Sequence, residues 1–116
     1  MRSTLAGVAT GTPDGGVAIV RISGPQAREL AESLLGETIL GALPEPRVLG
    51  LRTLADPASP GEQILVAWMP GPRSFTGEDV VELHVHAGER NVARVLEQVL
   101  AAGAVAAGPG DFSRRA

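Results

Sequence analysis

Short apolar segments follow one another along the chain, and their period switches between two and about 3.6, the spacings that separate strands from helices. Val17 to Ser23 (VAIVRIS) is a β-branched run behind the Gly/Pro/Asp cluster Gly11 to Gly16 and predicts a buried strand; the shorter Thr4 to Thr10 predicts another. Ser23-Gly24-Pro25 then opens a predicted helix, with Ala27, Leu30, Ala31, Leu34 and Leu35 at helical spacing and Gly36 as its stop. After the Pro-punctuated Leu43 to Pro46, Arg47 to Leu54 reads as a strand with Arg52 among its outer residues, and Gln63 to Met69 (QILVAWM) as the next. The loop Ala55 to Gly61 between them predicts an antiparallel hairpin.

Pro70 to Asp79 is too rich in Pro and Gly for regular structure and leads into Val80 to His86, where apolar and polar residues alternate as in a strand. Val92, Val95, Leu96, Val99 and Leu100 predict a helix over Glu89 to Ala102, stopped by Gly103. Ala104 to Ala107 is a short strand that closes the sheet, and Gly108 to Ala116 is a turn opening a further helix within which the chain ends. Two main helices are too few to cover both faces of a parallel sheet of five or six strands, so the expected fold is α+β, two layers with a mixed sheet.

Composition narrows the function classes. The length of 116 residues suits one domain spanning residues 1–116, and 44% hydrophobic with 20% charged residues is globular composition. No cysteine is present, which removes disulfides and thiolate metal sites and suits a reducing cytoplasm, the expected location. Met1 to Gly16 has no apolar signal core, and no run of about 18 apolar residues occurs, so neither secretion nor membrane spanning is expected. The formal net charge is -3, and the ten basic residues, all Arg, are scattered from Arg2 to Arg115. With only Trp68, Phe75 and Phe112 as aromatics, direct nucleic-acid binding is not expected either.

Three features carry candidate chemistry. Gly11-Thr12-Pro13-Asp14-Gly15-Gly16 has the glycines of a phosphate loop but feeds a strand instead of opening a helix, and the chain has no Lys to reach a phosphate. Glu82, His84 and His86 share one strand face, yet alternate strand residues lie roughly 7 Å apart along a line, which favours a polar strand face over a metal site. Arg21 interrupts an apolar strand on the face of Val17 and Ile19, where a guanidinium needs acceptors. Two explanations stand side by side: a structural ion pair, with Glu82 as its partner, or a ligand site that uses both groups. Ser23 lies between Ile22 and Gly24, without the nucleophile-elbow pattern, and no catalytic residue is assigned.

GGVAIVRISGP at Gly15 to Pro25, PGPRSFTGEDVVELHVHAG at Pro70 to Gly88 and PGDFSRRA at Pro109 to Ala116 together resemble the N-terminal domain of the bacterial tRNA uridine-modifying GTPase family, MnmE/TrmE. The resemblance spans the chain and is weakest between Glu37 and Gln63. It implies an α+β module similar to the tetrahydrofolate-binding part of aminomethyltransferases, which binds 5-formyl- or 5,10-methylene-tetrahydrofolate and forms a homodimer. It implies further that Arg21 contacts the folate and Glu82 binds the pterin. Around them, His84-Val85 stand where the family has Gln-Gly. The resemblance also implies that the chain stops before the helical and GTP-binding domains, where GTP, Mg and K would act, and that it cannot hydrolyse GTP alone. In the full-length context the implied partners are tRNA and a flavin-dependent tRNA-modification protein, acting on the wobble uridine.

Overall fold

The computed structural model describes residues 3–11, 16–35, 43–55, 62–86, 89–108 and 110–115. Among these residues six strands, β1 (Leu5–Gly11), β2 (Val17–Ser23), β3 (Gly50–Thr53), β4 (Gln63–Met69), β5 (Val80–His86) and β6 (Val105–Ala106), form one sheet in the order β3-β4-β5-β2-β1-β6. Every ladder is antiparallel except β1 with β6, which is parallel. The helices α1 (Ala27–Leu34) and α2 (Glu89–Ala101) lie against one face, and a short third helix, α3 (Asp111–Arg115), follows β6. The fold is therefore α+β with a mixed sheet, as the segment pattern predicted.

Strand alternation explains the layering. Ala18, Val20 and Ile22 of β2 and Val81, Leu83 and Val85 of β5 point to the helices and are buried, joined by Ile64 and Val66 of β4. Leu30, Ala31 and Leu34 of α1 and Val95 and Val99 of α2, at helical spacing, close the same core. The opposite face carries Val17, Ile19 and Arg21 of β2, Glu82, His84 and His86 of β5, and Leu65 of β4, all partly or well exposed.

Two predicted boundaries move by more than one residue, each for a visible reason. The strand expected from Arg47 begins at Gly50, because Arg47 has φ 65° and its N–H donates to the Trp68 carbonyl at 2.9 Å, which turns the chain across the end of β4. The helix expected from Ser23-Gly24-Pro25 begins at Ala27. Gly24 is tied by its N–H to the Asp79 carbonyl at 3.0 Å with φ 147°, and the Gln26 N–H donates to Thr4 Oγ1 at 3.0 Å. The Gly36 stop and the turn at 12–15 lie outside the described residues, as does most of the hairpin loop, although the hairpin's antiparallel ladder is formed.

Gly24 has two reasons to be glycine: its φ suits glycine, and a Cβ would stand 2.6 Å from Thr4 Cα. Gly24→Ala is expected to lower unfolding free energy by about 2 kcal/mol or more, measured by urea unfolding; a loss within about 0.5 kcal/mol would contradict this account.

Candidate functional site

The antiparallel register of β2 and β5 sets Arg21 directly across from Glu82 on the open face. Arg21 Nε and Nη2 both donate to Glu82 Oε2, at 3.1 and 2.8 Å, and the two side chains are 17% and 16% exposed. Two donors on one oxygen make a charge-assisted contact that is not the parallel fork of a bidentate pair. The other carboxylate oxygen, Oε1, stands 3.5 Å from His84 Nε2. That nitrogen is buried and has no hydrogen-bond partner among the described residues. His86, one pleat further along, is exposed. Among the described residues, no three His, Cys, Asp or Glu side chains gather closely enough to hold a metal ion.

The Arg21 guanidinium also meets two aromatic rings, its central carbon 4.8 Å from the Phe75 centroid and 5.5 Å from that of Phe112. Both distances fall within cation–π range. Beside this cluster opens a cavity of about 510 Å³, in the size range of small-molecule sites. β1 forms one wall through Gly7, Val8 and Ala9, where a bulge shifts the ladder between Val8 and Thr10. The turn into α3 forms another through Ala107, Gly108 and Gly110, and Arg21, Phe75, Phe112 and Ser113 complete the lining. Glu82 is not part of the lining.

Small residues create this space. A Cβ on Gly7, which faces Arg21 across the β1–β2 ladder, would come 3.2 Å from Ala107 Cβ and 3.5 Å from Phe112 Cε2. Glycine here lets α3 lie close over the strand. The Phe75 loop is pinned at several points: Gly71 N–H donates to Asp79 Oδ1 at 2.9 Å, the Ser74 hydroxyl to the Glu78 carbonyl, and Thr76 Oγ1 and Ser23 Oγ are 2.6 Å apart. The Pro70 to Glu78 segment thus supplies a cavity wall through Phe75.

Arg21 and Glu82, singled out as odd charges in strands, are in contact, so the ion pair envisaged for them exists. What the sequence left unread is the pair of phenylalanines. Each sits among Gly, Pro, Ser and Thr or Arg, outside any apolar run, which is a place for a ring that serves a surface site.

A family model described as GTP-binding protein TrmE N-terminus matches residues 4–116. The chain is 49% identical to the tRNA modification GTPase MnmE of Halorhodospira halophila over 116 residues, 97% of this chain and 23% of that protein. It is 45% identical to the protein of the same name in Symbiobacterium thermophilum, covering 97% of this chain and 25% of that one. The corresponding protein of Alkalilimnicola ehrlichii is 44% identical, over 99% of this chain and 25% of its own length. The chain thus spans about a quarter of the curated relatives it matches.

Removing the Glu82 carboxylate strands a mostly covered guanidinium. Glu82→Ala is expected to lower stability by about 2 kcal/mol, read from urea unfolding. A change below about 0.5 kcal/mol would mean that the pair behaves as an ordinary surface ion pair.

Proposed function

This chain belongs to the TrmE N-terminus family, and from that premise we propose that it is the folate-binding, dimer-forming part of a tRNA-modifying GTPase. One observation carries the folate half: the two charged residues that the family resemblance assigns to folate touch each other beside a cavity of about 510 Å³ edged by two aromatic rings.

The residues fit the chemistry of a reduced pterin with a one-carbon group, 5-formyl- or 5,10-methylene-tetrahydrofolate. A guanidinium has five N–H donors, and two of Arg21's are given to Glu82, so others can meet a ligand carbonyl. Phe75 and Phe112 offer faces or edges to the planar pyrimidinone half of the pterin. Glu82 can accept the pterin's adjacent ring N–H and exocyclic amine, two parallel donors that match one carboxylate. Because Glu82 lies outside the cavity lining, this contact needs its carboxylate to turn from Arg21 toward the ligand. The kinship with the folate-binding part of aminomethyltransferases is part of the same proposal.

The remaining roles belong to the longer protein. There we place one-carbon supply for wobble-uridine modification of tRNA, the flavin-dependent partner protein, and GTP with Mg and K in a GTP-binding domain. The cytoplasm is the proposed location; no helix among the described residues is long and apolar enough to cross a membrane. A second copy of this chain is the proposed immediate partner. A purely structural dimerisation domain is the competing proposal, favoured by Glu82 standing outside the cavity and already engaged with Arg21.

Titration calorimetry with 5-formyl-tetrahydrofolate decides between them. The wild-type chain is expected to give saturable heat, and Glu82→Gln and Arg21→Lys each to weaken binding about tenfold or more. A folded wild type without heat, or two variants that bind as well as it does, would overturn the folate half. Sedimentation at the monomer mass at tens of micromolar would overturn the dimer half.

A further inference from the structure

The two rings against Arg21 come from distant parts of the chain, and neither is held there by the core. Phe75 lies on the loop before β5 and is exposed, and α3, which carries Phe112, has no buried residue. A five-residue helix with no buried residue has little packing to hold it. The Ala107 N–H, which donates to the Ala6 carbonyl at 2.8 Å, ties the chain just before it, and a second tie lies at its end. Arg115 Nη1 donates to the Ser3 carbonyl at 2.6 Å and to Glu78 Oε1 and Oε2 at 3.1 and 3.4 Å, and Nη2 donates to Ser3 Oγ at 3.2 Å. The Arg115 and Glu78 side chains are only 16% and 12% exposed.

Glu78 in turn belongs to the Phe75 loop. Its Oε1 accepts from Ser23 Oγ at 3.2 Å, its carbonyl accepts from Ser74, and its N–H donates to Thr76 Oγ1 at 3.3 Å. One guanidinium therefore ties three pieces together: the start of the chain at Ser3, the loop bearing Phe75, and the helix bearing Phe112. Neither Arg115 nor Glu78 lines the cavity.

We propose that Arg115 is a positioning residue for the cavity: through Glu78 and Ser3 it seats α3 against the Phe75 loop and so keeps both rings on Arg21. Arg is suited to this because its planar fork reaches a carbonyl and a carboxylate at once, which a Lys ammonium on a flexible stem does less well. For its consequence on affinity the proposal rests on the folate proposal above, but its claim about the rings does not.

The chain has two phenylalanines, so labelling with 4-fluorophenylalanine gives two fluorine resonances that report each ring directly. Arg115→Ala is expected to move the Phe112 resonance toward that of the denatured chain, and to weaken 5-formyl-tetrahydrofolate binding about tenfold by calorimetry. Arg115→Lys should restore only part of both. Ile64→Val, a mild core change of the buried Ile64, serves as the control for general loss of stability and should leave the resonance and the affinity unchanged. A Phe112 resonance unmoved in a folded Arg115→Ala protein overturns the proposal, and so does an equal shift in Ile64→Val. If the wild type binds no folate, the fluorine comparison still decides the matter, which keeps this failure separate from that of the folate proposal.

Discussion

The open face of the sheet is organised around a single charge that an apolar strand would not ordinarily tolerate. Arg21 is flanked in sequence by Val20 and Ile22, both fully buried against the helices, and the pleat alone turns its guanidinium away from them. A cation at that place needs compensation on its own face, and three groups supply it: the Glu82 carboxylate from the next strand and the rings of Phe75 and Phe112. The register of β2 with β5 is therefore doubly fixed. A slip by one residue would bury the polar row of β5 and also separate Arg21 from Glu82.

Compensation from three directions explains why the cavity lies where it does. The carboxylate approaches along the sheet, leaving the space above Arg21 to the two rings, and Gly7 on the other neighbouring strand keeps that side low. Small residues along β1 and in the turn before α3 leave a hollow that larger ones would fill. The site is thus made as much by missing side chains as by present ones.

Most of the fold was legible because period and punctuation agree with the tertiary arrangement. The helices α1 and α2 and the strands β2, β4 and β5 lie where apolar spacing put them, since each buries one face against one core. The boundaries that moved depend on distant contacts: Arg47 turns to meet Trp68, and Gly24 is drawn to Asp79. The same distinction separates the site residues. Arg21 and Glu82 violate the strand pattern and so stand out, whereas Phe75, Phe112 and Arg115 violate nothing locally. Their contacts join residues far apart in the chain, which only the fold brings together.

The parallel pairing of β6 with β1 has a consequence for the order of assembly. β1 and β2 precede β6 in the chain, and among the described residues the outer edge of β1 is covered by Val105 and Ala106; the Val105 and Ala107 N–H groups donate to the Thr4 and Ala6 carbonyls. During synthesis from the N-terminus, Arg21 and Gly7 emerge long before Phe112. The central strands can be in place while the hollow still lacks a wall. The hollow beside Arg21 is thus complete only once Phe112 has docked over β1.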